Sequence, residues 1–131
     1  AAKAVIFKLA GTPAFRKVQE KTLANAAHLA RALQDKGLRI ISGGTDTHQV
    51  LVDVTPRELD GSRAEQALES AGMVLNQNVL PNDDGGKGGV SGIRIGTAGV
   101  ATRGMGVKEM ETIADWLDQV LSNHADDGVI L

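Results

Sequence analysis

Between residues 13 and 36 the apolar side chains Val18, Ala26, Leu29, Ala30 and Leu33 recur at helical spacing, and Gly37 follows as a residue suited to ending a helix. This is the longest periodic segment in the chain of 131 residues, and a helix with one apolar face must bury it against a second layer. The segments that follow supply that layer. Residues 38–41 predict a short strand, Ser42-Gly43-Gly44-Thr45-Asp46 a turn, and residues 48–54 a second strand on which Val50, Val52 and Val54 alternate. The two strands read as an antiparallel hairpin. Asp60-Gly61-Ser62 caps a helix over about residues 63–70, with Ala64, Ala67, Leu68 and Ala71 on one face and Gly72 closing it.

Further on, residues 73–75 predict a brief strand, 76–89 a loop, 90–96 a strand, 97–106 a turn and 107–121 a terminal helix. Met110, Ile113, Ala114, Leu117, Val120 and Leu121 form the inward face of that helix. At the other end, residues 1–9 form a helical run stopped by Gly11-Thr12-Pro13. An opening inside a helical pattern, without cap or leader, is what a chain cut from something longer would show. The expected fold is an α/β two-layer sandwich of the α+β kind: one domain over residues 1–131, with a small, mainly antiparallel sheet and helices on one face. The second sheet face is then either solvated or an interface to a partner.

Composition narrows the function. The 14 basic and 16 acidic residues give a net charge of −2 with no basic block, and only Phe7, Phe15 and Trp116 are aromatic. Nucleic-acid binding by phosphate neutralisation or base stacking is disfavoured. The absence of cysteine removes disulfides, thiolate nucleophiles and cysteine-ligated zinc. No apolar run approaches the roughly 20 residues of a membrane span and no export signal opens the chain, so a cytoplasmic location is expected.

One residue stands out chemically. Arg94 lies between Ile93 and Ile95 in Ser91-Gly92-Ile93-Arg94-Ile95-Gly96-Thr97, so isoleucines that face a core send its guanidinium to the opposite face. A guanidinium held on a rigid strand suits a small carboxylate, which it can grip in bidentate fashion; the alternative is a solvated strand arginine. Asn76 and Asn78, two apart, share a face of an extended chain and offer paired amides to a ligand, or else serve the turn around Pro81-Asn82-Asp83.

Other groups carry less. Asp46 and His48 read as a turn aspartate and a structural histidine, since no serine or second base can be placed beside them. His28, His48 and His124 lack metal-ligand spacing, so no metal site is expected. Gly85-Gly86-Lys87-Gly88-Gly89 lacks the spacing and the Ser or Thr of a phosphate loop and reads as a flexible loop. Arg103-Gly104 is either a helper in anion binding or a solvated turn.

Taken together, Ala1-Ala2-Lys3-Ala4-Val5, Ser42-Gly43-Gly44-Thr45-Asp46-Thr47-His48, Asn76-Gln77-Asn78 with Pro81-Asn82-Asp83, and the segment from Ser91 to Thr97 resemble the C-terminal domain of serine hydroxymethyltransferase. The likeness covers nearly the whole chain. It implies the C-terminal domain of a fold-type I enzyme that uses pyridoxal phosphate to exchange a one-carbon unit between serine, glycine and tetrahydrofolate. By the same resemblance Arg94 matches the arginine that grips the amino-acid carboxylate, and Asn78 an asparagine at the folate. The open sheet face is implied to pack on the cofactor-binding large domain. The Schiff-base lysine belongs to that domain, so no catalytic or cofactor-binding residue is expected in this chain, and the chain alone is expected to be inactive. The chain departs from the family at Thr97-Ala98-Gly99, where Thr-Pro-Ala is usual, and at the glycines 86–89. Homo-oligomers occur in the family, and a free-standing binding or scaffold module derived from this domain is the alternative.

Overall fold

The computed structural model describes residues 2–81, 83 and 89–124. The Gly85–Gly88 part of the expected flexible loop therefore lies outside the described residues. Two helices open the chain: α1 (Ala2–Ala10) and α2 (Pro13–Asp35). Thr12 caps α2, its hydroxyl accepting from the Phe15 N–H at 3.3 Å, and Pro13 at the first helical position surrenders an N–H that would have had no partner. The inward face of α2 buries Ala26, Leu29, Ala30 and Leu33, together with Thr22 and Asn25.

Strands β1 (Arg39–Ile40) and β2 (Gln49–Asp53) form the expected hairpin, pairing antiparallel with Ile40 opposite Val52. Helix α3 (Gly61–Ser70) starts two residues earlier than its sequence pattern implied, because Asp60 accepts from the Arg63 N–H at 2.8 Å and so sets Gly61 as the first helical residue. After it come β3 (Asn76–Asn78), β4 (Gly92–Gly96), α4 (Ala98–Thr102) and α5 (Val107–Ser122).

The sheet is antiparallel throughout, in the order β1-β2-β4-β3. Its inner side presents Ile40, Val50, Val52 and Ile93 to α2, α3 and α5, whose Leu29, Leu33, Leu68, Met110, Leu117 and Leu121 complete a single core. Burying each such side chain stabilises the fold by about 1.5–3 kcal/mol. The α+β architecture, with a small antiparallel sheet and helices on its inner face, is thus as the sequence patterning implies.

Two segments differ from expectation. Residues 73–75 join no strand, and the edge strand is instead the polar Asn76–Asn78, which had read as loop. An edge strand with one paired side needs no apolar alternation, so the pattern that marks β2 is missing from β3. Residues 97–106 are not a plain turn but contain the five-residue α4, too short to show helical periodicity. No described helix is long and apolar enough to cross a membrane.

Candidate functional site

Register determines what stands together on the outer side of the sheet. Arg94 is opposite Leu51 on one flank and Asn76 on the other, and residues directly across a ladder project to the same face. One rung along, Asp53 is opposite Gly92 and Gly92 opposite Asn78. The outer face therefore carries Arg94, Asn76 and Asn78 as a group, with Arg39 and Asp53 at the far edge. Ile93, fully buried, and the partly buried Ile95 point the other way, into the core. The alternation that placed Arg94 on the outer face holds in three dimensions.

The two arginines on this face differ in their pairing. Arg39 is committed: its Nε and a terminal nitrogen both lie 2.8 Å from Asp53 Oδ2. Asp53 also accepts from the Thr55 hydroxyl at 2.7 Å and the Thr55 N–H at 2.9 Å. Burial pushes the Asp53 carboxyl upward as the largest single influence, but the Thr55 and Arg39 hydrogen bonds together outweigh it and hold the group below its ordinary value of 3.8. Arg94 is exposed and forms no ion pair among the described residues. A cation with no ion-pair partner among the described residues, fixed at mid-strand between two ladders, is available to an outside anion.

Asn78 is partly buried and its amide donates to the Val79 carbonyl at 2.8 Å, leaving its side-chain oxygen directed away from that bond. Next to it the chain folds back over the sheet. A Cβ on Gly92 would collide with the Leu80 side chain, so the missing side chain is what admits the buried Leu80 onto the outer face. Asp83 then ties the return of the loop, accepting from the Leu80 N–H at 2.7 Å and the Ser91 N–H at 3.1 Å; the Ser91 side chain first, and then these two N–H groups, hold its carboxyl below the usual range.

Elsewhere the structure separates what the sequence set side by side. Arg103 lies away from Arg94: it lines a groove of about 670 Å³ with Ile95, Met73, Val74, Ile113 and Trp116, on the helix side of the sheet. Asp46 and His48 are both exposed in the turn before β2. His28 pairs with Glu111 at 3.1 Å on the outer surface of α2 and α5. Among the described residues no group of three or more metal-ligating side chains converges.

A profile described as serine hydroxymethyltransferase matches residues 1–117. The chain belongs to the serine hydroxymethyltransferase family. It is also 43% identical, over 130 residues, to the serine hydroxymethyltransferase of Halorhodospira halophila (strain DSM 244 / SL1). That alignment takes in 99% of this chain but 31% of the relative, so the chain spans about a third of the length of the curated serine hydroxymethyltransferase it matches.

The pyridoxal phosphate used by serine hydroxymethyltransferases does not fit the described residues. A lysine that forms a Schiff base must be desolvated or set beside another cation to be nucleophilic. None of the described lysines is buried, and the partly exposed Lys36 is bonded to Asp115, which raises its pKa and keeps it protonated. Sequence reasoning missed one structural feature of the site, the fully buried Thr97 that ends the arginine strand. A threonine beside Gly96 looked like part of a turn, and only the tertiary position of α2 shows what its hydroxyl reaches.

Proposed function

We propose that this chain is the carboxylate- and folate-binding part of an enzyme that transfers a one-carbon unit between serine and tetrahydrofolate. In this reading Arg94 binds the amino-acid carboxylate and Asn78 contributes to the folate site. Pyridoxal phosphate, the electron sink of the reaction, is held by a large domain or chain beyond the residues present here. The observation that carries the reading is Arg94: an exposed guanidinium with no ion pair among the described residues, at mid-strand, with Asn76 across the ladder. A bidentate arginine–carboxylate pair fixes the orientation of the amino acid as well as its affinity, and the reacting carbon can then be held in one place relative to the cofactor.

Surface chemistry at the start of the chain also supports a partner. Helix α1 buries none of its residues, and Val5, Ile6, Phe7 and Leu9 are each more than half exposed. Apolar side chains left open in this way are covered in the working protein, and the cofactor-bearing part is the partner proposed for α1 and the outer sheet face. The test is reconstitution. The purified chain alone should show no serine-dependent one-carbon transfer and no pyridoxal absorption band, and both should return when it is joined to the cofactor-bearing part. Transfer activity from the chain alone contradicts the proposal.

A further inference from the structure

The arginine strand is supported unevenly. From Gly92 to Arg94 it is paired on both sides, but β3 ends at the rung Asn76–Arg94, so Ile95 and Gly96 have only β2 as a neighbour. The half of β4 that follows Arg94 is thus a sheet edge. It would be free to fray, and with it the arginine, unless something holds the strand end.

Thr97 is the group in that position. Its N–H donates to the His48 carbonyl at 3.0 Å, extending the β2 ladder by one bond. Its hydroxyl lies 2.8 Å from the Thr22 carbonyl of α2 and 3.3 Å from the same His48 carbonyl. Its own carbonyl accepts from the Ala101 N–H at 3.0 Å and so starts α4. The residue is fully buried. The far end of the same loop is held from the same stretch of α2: Lys21, next to Thr22, reaches the Gly104 carbonyl at 3.2 Å, and one turn on the buried Asn25 amide donates to the Met105 carbonyl at 3.0 Å. One stretch of the longest helix therefore grips the loop after β4 at both ends.

We infer that Thr97 is a positioning residue for Arg94: its hydroxyl latches the open half of β4 to α2 and so fixes where the guanidinium meets the amino-acid carboxylate. This inference rests on the carboxylate role of Arg94. Among the described residues the Thr97 hydroxyl is the single side-chain donor joining the strand end to α2, and two residues, Ile95 and Gly96, separate it from Arg94. Gly96 has no side chain with which to brace the intervening strand. Losing the hydroxyl leaves the arginine charged and present but displaced, and a displacement of about 1 Å is enough to weaken a directional contact severely.

The test uses the complete enzyme carrying this chain, with glycine as the probe. Glycine affinity is read from the shift of the pyridoxal absorption band, alongside KM and kcat for serine and the thermal midpoint. Thr97→Val is expected to weaken glycine roughly tenfold and to raise KM for serine more than it lowers kcat, whereas Thr97→Ser, which keeps the hydroxyl, stays within about twofold of the parent. If Thr97→Val yields no soluble enzyme because its methyl group meets the two carbonyls, Thr97→Ala removes the same donor without that contact and is measured instead. Arg94→Lys separates the two levels of the claim. Weakened glycine binding in Arg94→Lys with parental binding in the hydroxyl-free Thr97 variant overturns the latch alone, and parental binding in Arg94→Lys overturns the carboxylate role beneath it. A fall in the thermal midpoint with unchanged glycine affinity, or equal losses in Thr97→Ser and Thr97→Val, also overturns the latch.

Discussion

Asn76 stands directly across the β3–β4 ladder from Arg94, on the same outer face of the sheet. A carboxylate placed at residue 76 would meet the guanidinium from within the protein and compete with the substrate's own carboxylate. Opposite charges across a ladder are worth about 0.2–1 kcal/mol, so Asn76→Asp should weaken glycine binding by up to roughly fivefold. Asn76→Ala, which adds no charge, should have a smaller effect. Titration of both variants at low and high salt checks this, since the Asp effect should shrink as salt screens the pair.

The glycines of the α3–β4 junction make a separate prediction about stability. A Cβ on Gly92 would overlap the Leu80 side chain, and one on Gly61 would overlap the backbone carbonyl of Gly92 and crowd that of Val90. A side chain can rotate away where a carbonyl in a strand cannot. Gly92→Ala should lower stability by about 1–3 kcal/mol, and Gly61→Ala by at least as much. Chemical denaturation of the two variants decides the order, and a milder loss for Gly61→Ala would contradict the close approach of α3 to β4.

Arg57–Asp118 and Lys36–Asp115 both tie α5 to the rest of the fold, in different environments. Arg57 donates to Asp118 at 2.6 Å and to the Lys36 carbonyl at 2.7 Å, and both side chains of the pair are about three-quarters buried. Lys36 meets Asp115 at 2.5 Å, but Asp115 is 66% exposed. Asp118→Ala leaves the Arg57 guanidinium short of an acceptor inside the protein and should cost about 1–3 kcal/mol. Asp115→Ala should leave the thermal midpoint essentially unmoved, as expected of a solvated pair.

Acid should reach the fold through Asp53. Its carboxyl is held below the ordinary value of 3.8 by the Thr55 and Arg39 hydrogen bonds acting against burial. A carboxylate with a depressed pKa in the folded state contributes stability that is fully present above its unfolded value and is lost as pH falls through the folded one. Stability should therefore be flat near neutral pH and decline below about pH 4. Asp53→Asn should be less stable at neutral pH and show a shallower decline in acid, which denaturation curves measured across that range would reveal.

How much of this was legible in the sequence follows from where each signal resides. The helix of Pro13–Asp35, the β1–β2 hairpin and the placing of Arg94 opposite its isoleucines all rest on local periodicity, and the structure has them. The strand Asn76–Asn78 was hidden because its residues are polar and paired on one side only; its existence depends on β4, whose partner residues lie 14 to 18 positions away in sequence. Helix α4 is shorter than any period could reveal. The reach of Thr97 to Thr22, across 75 residues of sequence, is a product of packing alone.

The most direct test of the carboxylate role is glycine binding to the complete enzyme carrying this chain, followed by the pyridoxal absorption band, in the parent and in Arg94→Lys. Lysine keeps the charge but gives up the bidentate fork, and a lost charge-assisted hydrogen bond of about 1.5–3 kcal/mol corresponds to roughly 10- to 100-fold weaker glycine. A loss in that range, with an unchanged spectrum of the unliganded enzyme, is the predicted result. Glycine bound by Arg94→Lys as tightly as by the parent would contradict the role given to Arg94.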